Sequence, residues 1–144
     1  EARVWALLKH PRILQFLGIQ RIGEEIYLVS AFAENGSLPG FLKRRPEVDR
    51  GRLVIEVAEG LAYLHQCGII HGDLKGNNIL ISGREHALLC DFGLAKHVTS
   101  HTSTSLRGVG SIPWQSPELL QNACRRTFES DVYAFGITIS EVRT

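Results

Sequence analysis

The 144-residue chain has no methionine, only three cysteines and two tryptophans, and no excess of charge of either sign: sixteen Lys/Arg stand against fifteen Asp/Glu, for a formal net charge of +1. That balance excludes nucleic-acid binding by bulk positive charge. No apolar run approaches the roughly 20 residues that span a bilayer. The opening Glu1-Ala2-Arg3-Val4-Trp5 is not a basic stretch followed by an apolar one, so neither a membrane span nor a secretion signal is expected. Cys67, Cys90 and Cys124 are unevenly spaced, odd in number and without a CxxC pair. This argues against a disulfide framework or a zinc site and for reduced thiols in the cytosol or nucleus, and a cytoplasmic setting is expected. The missing methionine is expected of a segment from inside a longer gene product. What is present, 44% apolar and 22% charged residues with five prolines, is the composition of an ordinary globular protein with a packed core.

Periodicity predicts a short helix over 1–9, ended by His10-Pro11, then two antiparallel strands over 13–19 and 26–32 around a turn at 23–25. Ser37 is placed to cap a helix through Leu42. Over 51–66 the apolar positions Leu53, Val54, Val57, Ala58, Leu61 and Leu64 recur at helical spacing, with Gly68 as the stop. Short strands follow at 79–81 and 87–90 around a turn at 82–85. Residues 96–110, rich in Ser, Thr, His and Gly, have no period and read as a loop. Ser130-Asp131 opens a final helix over 132–142 that leaves little room for a polar face and is expected to be buried.

His71-Gly72-Asp73-Leu74-Lys75-Gly76-Asn77-Asn78 lies between the 51–66 helix and a strand, and Asp91-Phe92-Gly93 directly follows the next strand. Phosphoryl transfer needs a carboxylate to orient the attacking hydroxyl, a cation to offset charge, and oxygen ligands for Mg²⁺. Asp73, Lys75, Asn78 and Asp91 are the four candidates, and a hairpin would bring Asp73, Asn78 and Asp91 into one cleft. Alone, Asp73 would read as a loop aspartate capping its own backbone. His97 and His101 read as solvated loop histidines, and Lys43-Arg44-Arg45 as a basic helix end.

These motifs resemble the eukaryotic protein kinases. His71 to Asn78 is similar to the catalytic loop HRDLKxxN, Asp91-Phe92-Gly93 to DFG, and Ser116-Pro117-Glu118 to APE. Asp131-Val132-Tyr133-Ala134-Phe135-Gly136 resembles the start of the family's buried large-lobe helix. Glu1-Ala2-Arg3-Val4-Trp5 resembles its αC helix, with Glu1 at the αC glutamate. The resemblance implies an α+β, two-lobed fold cut at both ends: a small-lobe remnant over 1–30, a hinge over 31–36 and the first part of a helical large lobe over 37–144. It implies ATP and Mg²⁺ as cofactors. Ala31, Phe32, Ala33, Leu80 and Asp91 would contact the nucleotide, Asn78 and Asp91 would hold the metal, and Ser30 would be the gatekeeper. Asp73, Lys75, Asn78 and Glu1 are the implied catalytic set.

Lys75 points to Ser/Thr hydroxyls on protein substrates, and the 110–118 segment with Trp114 resembles the tyrosine-kinase-like group. Ser111 would take the place of the threonine that holds the catalytic aspartate and lysine. Trp5, Phe16, His71 and Phe92, anchored by Asp131, would form the regulatory spine. Gly72 departs from the family, replacing the arginine that in many members grips a phosphorylated activation loop. Phosphate at Thr102 or Ser103, for instance, is therefore not expected to act through residue 72. The Gly-rich loop and the lysine that pairs with Glu1 are not in the chain, so the segment alone is expected to be inactive. Two other readings are a pseudokinase scaffold and, from His71-Gly72-Asp73-Leu74, a small-molecule phosphotransferase of the aminoglycoside or choline type. The DFG-to-APE segment argues against the latter.

Overall fold

In a computed structural model the structure describes residues 2–98, 111–121 and 125–143. Glu1, His101, Thr102, Ser103 and Cys124, all singled out above, lie outside the described residues. The architecture is α+β, as expected: helices assembled with three two-stranded antiparallel sheets among the described residues. No described helix is long and apolar enough to cross a membrane.

The first helix, α1 (Ala2–Trp5), is shorter than its periodicity suggests. Leu7 N–H and Leu8 N–H bond three residues back, to the Val4 and Trp5 carbonyls, and tighten the chain into a turn before His10-Pro11. Strands β1 (Phe16–Ile22) and β2 (Glu25–Ser30) pair antiparallel from Phe16↔Ser30 to Ile22↔Glu25. The expected first strand is thus displaced. Ile13 instead bridges to Leu89, whose carbonyl accepts Leu14 N–H at 2.9 Å and whose N–H donates to the Arg12 carbonyl at 2.8 Å, leaving Gln20 and Arg21 within β1. Ser37 stands at the start of α2 (Leu38–Arg44) without a capping side-chain bond. Pro39 in the first turn, with its fixed φ, fits the entry instead.

The central helix α3 (Arg50–Gln66) matches the predicted span to within one residue. Asp49 Oδ1 accepts the Arg52 N–H at 3.0 Å and caps it. Gly68, at φ +70°, allows the reversal that ends it. Its stripe of Leu53, Val57, Leu61 and Leu64 faces the core, which also takes in Leu38, Phe41, Leu74, Ile79, Ile81, Leu89 and Phe92. Strands β4 (Ile79–Ile81) and β5 (Ala87–Leu89) form the expected hairpin, register Ile79↔Leu89.

Lys96 and His97 correct the loop reading of 96–110. They form β6 (Lys96–His97), paired with β3 (Ile69–Ile70), Ile70 opposite Lys96. Helix α4 (Pro117–Gln121) is followed by α5 (Phe128–Arg143), which opens earlier than predicted. Thr127 and Ser130 cap each other: Thr127 N–H donates to Ser130 Oγ at 3.0 Å and Ser130 N–H to Thr127 Oγ1 at 3.3 Å. Helix α5 packs on α3. It is not buried all round, since Val132 is 56% and Tyr133 40% exposed while Asp131, Ala134, Thr138 and Val142 are inside.

Beneath the hairpin, buried Glu56 of α3 is a hub. It accepts Ala87 N–H at 2.8 Å and His86 Nδ1 at 2.8 Å, and pairs with Arg52 at 3.0 Å and Arg12 at 3.4 Å. Burial would raise its carboxyl, but these donors outweigh burial and hold it below its usual value of 4.5.

Candidate active site

The loop after β3 is held from below by Asp131, which is 1% exposed. Its Oδ2 accepts His71 N–H at 2.8 Å and its Oδ1 accepts Gly72 N–H at 2.9 Å. His65 Nε2 lies 3.0 Å from Oδ2. A carboxylate suits this position because both its oxygens accept, so two adjacent buried donors are satisfied at once.

On this platform the loop folds around Asp73. Lys75 Nζ donates to Asp73 Oδ2 at 2.9 Å and to Ser111 Oγ at 2.7 Å. Ser111 N–H donates to Asp73 Oδ1 at 3.1 Å. Asn78 Nδ2 reaches both the Asp73 carbonyl, at 2.8 Å, and Asp73 Oδ2, at 3.0 Å. Burial by itself would raise the Asp73 carboxyl, but the Lys75, Ser111 and Asn78 donors prevail and hold it below its usual 3.8. The group is therefore a carboxylate at neutral pH. Ser111 fills the role expected from the resemblance through two atoms, its hydroxyl to the lysine and its amide to the aspartate.

The β4–β5 hairpin returns the chain so that Cys90 N–H donates to the Asn78 carbonyl at 3.0 Å, which sets Asp91 beside Asn78. Asp91 has φ +61° and is solvent-exposed, with Gly93 N–H 3.3 Å from its Oδ1. Asn78 spends its amide nitrogen on Asp73, leaving its amide oxygen, and Asp91 offers a carboxylate. No cluster of three or more His, Cys, Asp or Glu suited to a metal occurs among the described residues. A pair of hard oxygen donors on an open cleft nevertheless fits Mg²⁺, which takes one or two protein oxygens and fills the remaining positions with phosphate and water. Cys90 contributes no thiolate, because burial pushes its thiol up to about 12.

Four rings stack through the middle of the molecule. Phe16 and Trp5 are 5.1 Å apart between centroids, Trp5 and Phe92 5.7 Å, and Phe92 and His71 5.5 Å. Two of the rings are tied to the backbone: Trp5 Nε1 donates to the Leu14 carbonyl at 2.7 Å, and His71 Nε2 bonds the Cys90 carbonyl at 3.0 Å. Because His71 Nδ1 accepts Asp73 N–H at 3.3 Å, the ring is neutral with its proton on Nε2. Burial pushes its pKa below 6.5 against the opposing pull of Asp131, Asp73 and Asp91.

That depression has a measurable consequence. Below pH 6.5 the unfolded chain takes up a proton that folded His71 refuses, so stability falls as pH falls. Below 4.5 the same applies to Glu56, which stays ionised among Arg12, Arg52 and His86 when folded. Each group contributes up to about 1.4 kcal/mol per pH unit in its window. Denaturant unfolding between pH 7.5 and 5 is expected to show the first slope, and His71→Phe to flatten it. An unchanged slope in that variant would remove His71 as its source.

The hinge candidates Ala31, Phe32 and Ala33 follow β2. Ala31 N–H is taken by the Gln15 carbonyl at 2.9 Å, whereas Ala33 N–H has no partner among the described residues. The Phe32 ring is 83% exposed, so a nucleotide contact there would be through backbone. Leu80 is half-buried on β4, bridged to Ser37. A separate groove of about 930 Å³, lined by Leu8, Pro11, Phe32 and Arg84 among others, contains none of Asp73, Asn78 and Asp91. Sequence reading missed two holders of the loop. Glu141 Oε2 accepts Gly76 N–H at 3.0 Å, and Arg126 Nε donates to the Gly72 carbonyl at 2.8 Å. Neither carries a local signal, since each acts across more than fifty residues of sequence.

A carboxylate braced by an ammonium and an amide, with a second carboxylate behind a hairpin, is chemically able to orient a hydroxyl and a cation-bound phosphate. The chain belongs to the protein tyrosine and serine/threonine kinase family, whose sequence profile matches residues 1–144. It is similar to the mitogen-activated protein kinase kinase kinase dlk-1 of Caenorhabditis elegans, 35% identical over 141 residues, covering 95% of this chain and 15% of that protein. It is similar to the tyrosine-protein kinase Btk of Drosophila melanogaster, 34% identical over 151 residues, covering 100% and 19%. The probable serine/threonine-protein kinase kinX of Dictyostelium discoideum is 31% identical over 140 residues, covering 94% and 13%. The chain thus spans less than a fifth of each of these relatives. The family is one of protein kinases, which sets aside the small-molecule phosphotransferase reading.

Proposed function

We propose that the protein containing this segment transfers the γ-phosphate of ATP to Ser or Thr hydroxyls of protein substrates, in the cytoplasm. The observation that carries the reading is the Lys75 ammonium shared between Asp73, at 2.9 Å, and Ser111, at 2.7 Å. It leaves a charged donor two residues from the carboxylate, where charge on a transferred group must be offset. Bound Mg-ATP supplies the phosphoryl group and a divalent charge that neutralises it. Asp73 orients the acceptor hydroxyl and takes its proton. Its lowered pKa makes it a weak base, which suits a loose transition state in which positioning outweighs proton abstraction. Asn78 and Asp91 would hold the metal, Ala31 to Ala33 and Leu80 would border the adenine, and Glu1 would orient a lysine from the small lobe. In this reading 1–30 belongs to the small lobe, 31–36 to the hinge and 37–144 to the large lobe.

The relatives carry both tyrosine and serine/threonine names, and Lys75 is what favours the latter. The test is transfer from labelled Mg-ATP by the full-length protein to a mixed peptide substrate, with the phosphorylated residue identified. Phosphoserine and phosphothreonine are expected. Phosphotyrosine alone would overturn the specificity, and no transfer by a folded protein would favour the scaffold reading.

A further inference from the structure

The groove of about 930 Å³ is a surface of its own: it shares Ala31 and Phe32 with the nucleotide edge proposed above and no residue with the Asp73 loop. Three stretches of chain line it, namely parts of 6–16 leading into β1, the hinge at 31–34, and the β4–β5 turn at 82–84 with Leu88 behind it. Hydrogen bonds lace these walls together. Ala31 N–H donates to the Gln15 carbonyl at 2.9 Å, Asn35 Nδ2 to the Ser82 carbonyl at 2.7 Å, and Gly83 N–H to Glu34 Oε2 at 2.5 Å. The shape is thus held in advance, and a ligand entering it has little backbone to order.

Its lining combines apolar surface with unbalanced charge. Leu8 and Ile13 are buried, Leu88 is half-buried, and the Phe32 ring is the most exposed of the large apolar side chains described. An aromatic ring left in water beside an apolar groove is the kind of anchor that a protein interface covers. The ionisable side chains of the lining are Lys9, His10, Glu34 and Arg84. Two of them are engaged within the chain. His10 Nδ1 accepts Arg12 N–H at 3.1 Å while its ring stacks on Tyr63 at 4.6 Å, and Glu34 takes Gly83 N–H. Lys9 and Arg84, by contrast, are exposed and have no salt bridge among the described residues. The groove therefore offers two cations with no acid bound to either.

We infer that this groove is the docking site for a segment of a partner protein in which leucine-like side chains alternate with carboxylates. The apolar side chains fill the space over Leu8, Ile13 and Leu88 and cover the Phe32 ring. The carboxylates meet the Lys9 ammonium and the Arg84 guanidinium, which can grip a carboxylate with two N–H groups. A basic segment would meet like charge at both points, so the same two residues select the sign of the partner. The inference does not depend on phosphate transfer at Asp73.

The probe is a short fluorescent peptide of alternating Leu and Glu, titrated into the full-length protein beside two controls, one with Lys for each Glu and one with Ser for each Leu. The Leu/Glu peptide is expected to bind at least about tenfold tighter than either control, since both its charge and its apolar contacts are matched. Lys9→Glu combined with Arg84→Glu is expected to invert the charge preference, so that the Leu/Lys peptide becomes the tighter of the two. Both positions are exposed and outside the Asp73 loop, so the circular dichroism and nucleotide affinity of that variant are expected to match wild type. Phe32→Ala is expected to weaken the Leu/Glu peptide in its own right, through the lost ring. No saturable binding below about 1 mM, equal binding of the two charged peptides, or a preference that survives the double charge reversal overturns the site. Sedimentation of the protein alone tests the other occupant. A dimer that the same double variant dissociates gives the groove to a second copy of the chain and overturns the partner.

Discussion

Asp73→Asn in the full-length protein is expected to lower turnover by about 10²–10⁴-fold while leaving the affinity for nucleotide within a few-fold. Asparagine preserves the size of the side chain and one acceptor oxygen, so the loop keeps much of its shape. What disappears is the charge that faces Lys75 and the atom that takes the hydroxyl proton. The ammonium retains Ser111 Oγ at 2.7 Å, but its donor strength is no longer divided with an anion. Single-turnover transfer from labelled Mg-ATP, with nucleotide affinity measured separately, is the assay. A variant retaining more than about a third of wild-type turnover would remove Asp73 as the base.

The second large effect is on stability. Replacing Asp131 by alanine leaves His71 N–H and Gly72 N–H without an acceptor, each at about 1–3 kcal/mol. A loss of about 2–6 kcal/mol of unfolding free energy is therefore expected, large against a typical total of about 5–15. Asp131→Asn should lie between, since its one oxygen satisfies one donor while its NH₂ meets the other. Denaturant unfolding of the three proteins orders them. An alanine variant within about 0.5 kcal/mol of wild type would mean that water or a shifted loop satisfies both donors. Transfer should fall as well, because Asp73 directly follows the two anchored amides.

Both effects centre on residues that could be read in the sequence, for a physical reason. The chemistry near Asp73 requires particular side chains at fixed short spacings, so the loop and Asp91-Phe92-Gly93 stand out without any knowledge of packing. Helix α3 was legible because its apolar stripe repeats over four turns. Lys96 and His97 were not, since two residues have no period and become a strand only by meeting Ile69 and Ile70. Ser37 had the right chemistry for a cap, and Pro39 made the side-chain bond unnecessary. Glu56 had a signal that was passed over: it is a charged residue on the buried stripe of Leu53, Val57 and Leu61. Its partners Arg12 and His86 lie thirty or more residues away, so the network itself has no local trace. Arg126 and Glu141 are of the same kind, ordinary charges until the fold brings them under the loop.

The ring stack through the core also gives the molecule an optical readout of its own. Trp5 is one of only two tryptophans, and its indole touches Phe92, the residue next to Asp91. Any rearrangement that carries Phe92 away would change the polarity and quenching around that indole. In a protein whose other tryptophans, Trp114 included, are replaced by phenylalanine, the emission wavelength and lifetime of Trp5 would follow the position of the Asp91 segment in real time, with no dye attached and no turnover required.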